Sequence, residues 1–286
     1  METVGIWREI VVERWRGGSR GKKGETRREL SGGARMLSIV VTTAAAVVSI
    51  VVVAICILVY RVVFPTILSF PWEKPSENTR RCKIEREMTV IFAGSFNPPH
   101  CGHLVMLRYL ADRYGRVICC IGVNPNKTYP VSPNTRAQIL RDMLVGDVST
   151  DRTTNNCTNV QVEVVTGYIW RYARTQNATL FFRGIRTWTV DGPEERHLQI
   201  LNSWGPLLLG RIWPLKTIFL EGDPRYRDVS STRTRAICDD VRRRRRELGK
   251  SNVTDDKEIS RLIDELSKLV PRCVADRIVE AYGSDS

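Results

Sequence analysis

The sequence predicts an α/β protein with a five-stranded parallel sheet, preceded by a single transmembrane helix. Three observations lead there. From residue 88 onward, short apolar runs alternate with segments of helical period. Polar clusters stand at the ends of those runs, where parallel sheets collect their ligands. Ahead of all this, Leu37–Tyr60 is 24 residues without a charge, bounded by Arg35 and Arg61.

Taken in order, residues 1–35 carry nine Lys/Arg and five Glu, with Gly-Ser punctuation and no sustained apolar period. A basic, disordered N-terminus is expected. Residues 36–63 are read as the anchor, since a ~30 Å hydrocarbon core needs about 20 apolar residues. The run is too long for a signal-peptide core, and no small-x-small cleavage site follows it. Orientation carries a conflict. The basic N-terminus favours the N-terminal side in the cytosol; a start at Met36 would leave Arg61, Lys74 and Arg80-Arg81 to hold the globular part there. We take the second as the expectation: a single-pass protein with its catalytic domain facing the cytosol, an organelle membrane being admissible. The sequons at Asn126, Asn156, Asn177 and Asn252 do not decide the side, because such triplets also arise by chance. Residues 64–87, with prolines at 65, 71 and 75, read as a stalk.

Residues 88–240 form the expected catalytic domain. Strand 89–93 ends at Gly94, and the turn Ser95–His100 leads into an amphipathic helix over 103–114. Val117–Val123 is a second strand. Ser132-Pro133 opens a helix as N-cap and first residue. Residues 147–159 read as a loop, 160–165 as a strand, 168–176 as a helix, 179–182 as a strand, 194–204 as a helix and 217–220 as a strand. Helices follow over 230–246 and 256–269, so residues 241–286 form a basic helical extension containing the five arginines Arg242–Arg246. Those arginines suit a solvated helix face or anionic lipid. Eight cysteines show neither CxxC nor zinc spacing, so reduced thiols are expected, with Cys119-Cys120 in the core.

The net charge of +13 points to anionic partners; nucleic acid is not expected, since no groove-reading motif is present. Four clusters follow strand ends: Ser95 to His103, Asn124–Lys127, Arg183–Arg186, and Ser230-Ser231-Thr232. In a parallel sheet they gather at one edge, and the chemistry they suit is polyphosphate handling. Two imidazoles, His100 and His103, at a helix start can donate hydrogen bonds to phosphoryl oxygens. Lys127, Arg183 and Arg186 add full charges. Each cluster has a plainer reading beside it. His-x-x-His without nearby Asp, Glu or Cys is too small a zinc set, so no protein-held metal is expected. Ser-Ser-Thr is an ordinary N-cap, and Lys127 alone reads as a solvated lysine.

Gly94-Ser-Phe-Asn-Pro-Pro-His-Cys-Gly-His103 resembles the (T/H)xGH signature of the nucleotidyltransferase superfamily, and Val229-Ser-Ser-Thr-Arg233 resembles its ISSTxxR element. Arg183-Gly-Ile-Arg186 is similar to the RGLR segment of bacterial-type phosphopantetheine adenylyltransferase. The likeness covers about residues 88–240. It implies a Rossmann-like fold and transfer of AMP from ATP to 4′-phosphopantetheine with Mg²⁺, by direct in-line attack, in coenzyme A biosynthesis. His103, Lys127, Arg186 and His100 would then be catalytic. Ser95, Lys127 and Arg183 would hold phosphopantetheine. Ser95, Phe96, Gly102, His103, Gly184, Arg186, Glu195, Ser230, Ser231 and Thr232 would bind ATP. The family is commonly hexameric, so a homo-oligomer is one expected state. His100 stands where bacterial members commonly have Thr, and the segment after Arg186 departs from the family's aromatics and acids. The alternatives are a nicotinamide or nicotinate mononucleotide adenylyltransferase, which Arg183-Gly-Ile-Arg186 disfavours, and a non-catalytic membrane protein that binds nucleotide.

Overall fold

A computed structural model describes residues 25–73, 80–123, 125, 127–146, 157–248 and 257–283. The chain divides into two units, Met1–Ile57 and Leu58–Ser286. In the first, residues 25–57 are helical, part of α1 (Glu25–Val63). Its segment Met36–Val63 is long and apolar enough to cross a membrane, with a mean hydropathy of 2.8 over its most apolar stretch. The disorder expected for 1–35 is corrected in part: 25–35 extend the helix, and 1–24 lie outside the described residues.

The second unit is a six-stranded, all-parallel sheet in the order β1-β6-β5-β2-β3-β4. Its strands are β1 (Thr66–Leu68), β2 (Thr89–Gly94), β3 (Arg116–Val123), β4 (Val160–Thr166), β5 (Leu180–Ile185) and β6 (Lys216–Glu221). The expected five are present, and β1 is the addition. It pairs with β6 from within the segment read as a stalk, so Thr66–Leu68 belong to the sheet. The same segment supplies helix α2 (Arg80–Glu87), whose Glu85 forms a 2.8 Å ion pair with the buried Arg113.

Helices α3 (Cys101–Arg113), α4 (Pro133–Gly146), α5 (Ile169–Thr175), α6 (Trp188–Gly210), α7 (Ser231–Leu248), α8 (Lys257–Leu269) and α9 (Arg272–Gly283) complete the unit. The central strands are mostly apolar because both faces are covered. Val90, Phe92 and Cys119 pack into one core with residues of α3, α4, α7, α8 and α9. Ile91, Ala93 and Cys120 face the opposite core with Ala173 of α5. Burial pushes the Cys120 thiol up to about 12, and all eight cysteines are free.

Two further boundaries differ from expectation. Helix α6 begins six residues before 194 and ends six after 204, with Pro193 and Pro206 inside it. Of the expected extension 241–286, the described residues 241–248 and 257–283 pack onto the domain. Helix α7 runs unbroken through the five arginines, and Leu266, Leu269, Val274, Ile278 and Val279 are buried in the main core. Arg242, Arg243 and Arg244 pair with Asp239, Asp240 and Glu247 on their own helix. The expected loop 147–159 lies outside the described residues up to 156.

Candidate active site

Strand order reverses between β2 and β5, because β3 and β4 continue on one side and β6 and β1 on the other. A switch point of this kind leaves a crevice beyond the strand C-termini. There the structure has a cleft of about 670 Å³ lined by Ser95, Phe96, His100, Gly102, His103, Arg183, Gly184, Arg186, Glu195, Ser230, Ser231 and Thr232. Every site residue expected from sequence is in that set except Lys127. Lys127 is exposed on the turn after β3 and is not among the lining residues.

The turn after β2 is tightly built. Phe96 is buried with a left-handed φ of 46°, and its ring takes the space a Cβ on Gly94 would need, 2.9 Å away. Backbone in that region is costly for a non-glycine residue and marks a local constraint. The turn hands over to α3, where His100 is the N-cap. The His100 N–H donates to His103 Nδ1 at 3.3 Å, a weak capping contact. Nδ1 is therefore the acceptor, and in the neutral ring the hydrogen sits on Nε2. His103 is held well below the ordinary imidazole range by burial first and by His100 second; burial brings His100 down to about 4. Both rings are neutral donors near pH 7. Their centroids are 3.8 Å apart, and Phe96 lies 4.8 Å from His103.

Across the crevice, Arg183 follows the apolar run of β5. It donates from Nε and Nη2 to the two Glu195 oxygens at 2.8 and 2.6 Å, and from Nη1 to the Ala93 carbonyl at 3.0 Å. Three of its five N–H groups are thus used, and two remain for a ligand. Arg186 is more exposed and is gripped by Asp191, which accepts from its Nε, its Nη2 and its backbone N–H. The third wall is the start of α7. Ser230 Oγ accepts from the Arg233 N–H at 3.2 Å, an N-cap, while Ser231 Oγ donates to the Pro98 carbonyl at 2.7 Å. The ordinary capping role and a place at the cleft are both filled by this triplet.

Sequence reasoning missed Phe70, Asp191, Glu221 and Asp223, which also line the cleft. Phe70 comes from the segment after β1, steadied by an edge-on contact with Trp72 at 5.3 Å. Trp72 Nε1 in turn donates to the Glu221 carbonyl at 3.0 Å. Among the described residues no group of three or more His, Cys, Asp or Glu side chains is placed to hold a metal ion.

The arrangement offers neutral imidazole donors, two arginines and a helix N-terminus around one cleft, with no nucleophile–base pair among the described residues. That is equipment for positioning phosphates and spreading developing charge. The chain is similar to known proteins. Phosphopantetheine adenylyltransferase of Chromobacterium violaceum is 30% identical over 149 residues, 51% of this chain and 80% of that protein. The enzyme of the same name from Caldanaerobacter subterraneus is 25% identical over 193 residues, 67% of this chain and 96% of that protein. Among solved structures, Plasmodium falciparum nicotinic acid mononucleotide adenylyltransferase complexed with NaAD aligns with a TM-score of 0.43 and 11% identity, over 68% of this chain and 95% of that one. Residues 91–237, just over half of the chain, match the cytidylyltransferase-like family, and the chain belongs to that family of nucleotidyltransferases.

Proposed function

We propose that the chain transfers AMP from ATP to 4′-phosphopantetheine, giving dephospho-CoA and pyrophosphate. A phosphate oxygen of the acceptor attacks the α-phosphorus, the α–β bridging P–O bond breaks, and pyrophosphate leaves with that electron pair. The observation that carries the reading is Arg183-Gly-Ile-Arg186 lining the same cleft as His103 and Ser230–Thr232, together with relatives that bear this name.

The roles follow from the donors. His103, donating from Nε2, would stabilise charge on the α-phosphoryl oxygens in the transition state. His100 would hold that ring by its N–H contact. Arg183, fixed by Glu195, would meet the acceptor phosphate, and Arg186 the ATP phosphates. Ser95 and the α7 N-terminus would face the triphosphate. Lys127 would join them from the β3 turn when substrates are bound. Mg²⁺ would arrive on the nucleotide phosphates, as is usual for this ion, and neutralise charge on the leaving pyrophosphate.

The test is the full chain in detergent with Mg·ATP and a panel of acceptors. Pyrophosphate release with 4′-phosphopantetheine supports the proposal, and release only with nicotinamide or nicotinate mononucleotide overturns it. We further propose that Met36–Val63 is a single-pass anchor with the catalytic domain on the cytosolic side. Protein extracted by alkaline carbonate, or a domain protected from protease in sealed organelles, would refute it.

A further inference from the structure

The turn Ser95–Pro99 carries the site, since it places Ser95 and starts the helix that bears His103. Four side chains hold it. Arg136 of α4 donates from Nη1 to the Ser95 carbonyl, Arg235 of α7 from Nη1 to the Asn97 carbonyl, and Ser231 of α7 to the Pro98 carbonyl. The fourth is Tyr282 in the last described turn of α9. Its hydroxyl donates to Asn97 Oδ1 at 2.8 Å, across 185 residues of chain. Tyr282 and Asn97 are 5% and 7% exposed, so the bond is sealed from water.

We propose that Tyr282 is a positioning residue for nucleotidyl transfer, its hydroxyl fixing Asn97 and through it the turn over which the phosphates react. Three of the four holders lie within residues 91–237, which match the family; Tyr282 lies beyond them. The C-terminal helices thus reach back to the catalytic turn. Packing alone does not require the hydroxyl, because a phenylalanine ring fills the same space. A buried hydroxyl without a partner is costly. Among the described residues its acceptor is the side chain of the turn, and it stays a neutral donor because burial raises its pKa. The helix itself is anchored independently: Val274, Ala275, Ile278 and Val279 are buried, and an added Cβ on Gly283 would stand 3.6 Å from the Cys238 carbonyl. Losing the hydroxyl therefore loosens the turn without releasing the helix.

The experiment is steady-state kinetics on the full chain in detergent, with whichever acceptor the wild type uses. The test therefore stands even if phosphopantetheine proves the wrong acceptor. Tyr282→Phe is expected to lower kcat about 10- to 100-fold, the reach of a small misplacement of reacting groups, with KM for ATP changed less than about threefold. Val279→Ala on the same helix is expected to lower the melting temperature with kcat within about twofold. An unchanged kcat in Tyr282→Phe overturns the proposal, as does an equal kcat loss in Val279→Ala. If Tyr282→Phe alone does not fold, the test moves to Asn97→Leu with and without Tyr282→Phe, since removing both partners leaves no orphaned group. Equal kcat in those two supports the proposal; a further fall when the hydroxyl is removed from the Asn97→Leu background overturns it.

Discussion

Replacing His103 by alanine removes three things, and their magnitudes separate. The first is the Nε2 donor. With Nδ1 occupied by the His100 N–H and the ring held neutral by burial, Nε2–H is what His103 can offer a phosphoryl oxygen. Loss of one such donor costs about 10²–10³ in kcat, roughly 2.7–4 kcal/mol of transition-state stabilisation. The second is the acceptor for the His100 N–H, worth about 1 kcal/mol or less to stability given its 3.3 Å length. The third is ring contact with His100 at 3.8 Å and Phe96 at 4.8 Å, about 0.5–1.5 kcal/mol per pair. His103→Ala should therefore unfold a few degrees earlier yet stay folded at 25 °C, with kcat down 100-fold or more and KM for ATP nearly unchanged. Pyrophosphate release measures kcat and KM, and thermal unfolding measures the stability lost with the second and third. A folded variant with wild-type kcat, or one that loses only KM, would refute the assignment of His103 to the transition state.

Three other outcomes follow from the same geometry. Both histidines are depressed in the folded state, so the unfolded chain binds more protons below the ordinary imidazole value. Stability should be flat above about pH 6.5. It should then fall as pH drops towards 4, by up to about 1.4 kcal/mol per pH unit for each histidine, in urea melts at stepped pH. Melts that do not weaken over that interval would contradict the burial. Glu85→Ala removes the carboxylate from Arg113, which is 5% exposed and keeps neutral partners, the Tyr109 hydroxyl at 2.8 Å and the Glu73 carbonyl at 3.3 Å among them. About 3 kcal/mol of stability should go with it, read from denaturant midpoints. Glu195→Gln breaks the bidentate grip on Arg183 while leaving its bond to Ala93, so KM for the acceptor should rise about tenfold, about the value of one charge-assisted bond, with a smaller change in kcat.

The part of the site carried by local pattern was legible. An apolar run ending in glycine, a polar turn and an amphipathic helix announce a strand, a crevice and a helix N-terminus without any knowledge of neighbours. The same holds for Arg183 directly after Leu180-Phe181-Phe182. What escaped was either very short or dependent on distant partners. Strand β1 is three residues long and exists because β6 offers it an edge. Helix α2, RRCKIERE, has almost no apolar period and is held by the ion pair to Arg113. Helix α6 runs through Pro193 and Pro206, residues that locally argue for a break. In α9 the signal was present, since Val274, Ala275, Ile278, Val279 and Tyr282 fall on one face, but nothing local says which surface that face meets. Arg136 and Tyr282 meet the catalytic turn across 41 and 185 residues, separations no window of sequence reports.

These long-range holders bear on why the matched region is shorter than the functional unit. The turn keeps Phe96 in a left-handed conformation, and such backbone persists only where its surroundings hold it. Its Ser95, Asn97 and Pro98 carbonyls accept from Arg136, Arg235 and Ser231, and the Asn97 side chain from Tyr282. On the opposite wall, β1 brings Phe70 to the rim and Trp72 to the Glu221 carbonyl. Elements from both ends of the second unit, before residue 91 and after residue 237, therefore complete a site whose signature residues all lie between. A fragment trimmed to 91–237 would keep His103, Arg183, Arg186 and Ser231 and lose a wall and a turn support. On the proposed mechanism rate comes from placement rather than from a reactive side chain, so such a fragment would retain the signature and forfeit the contacts that hold it in place.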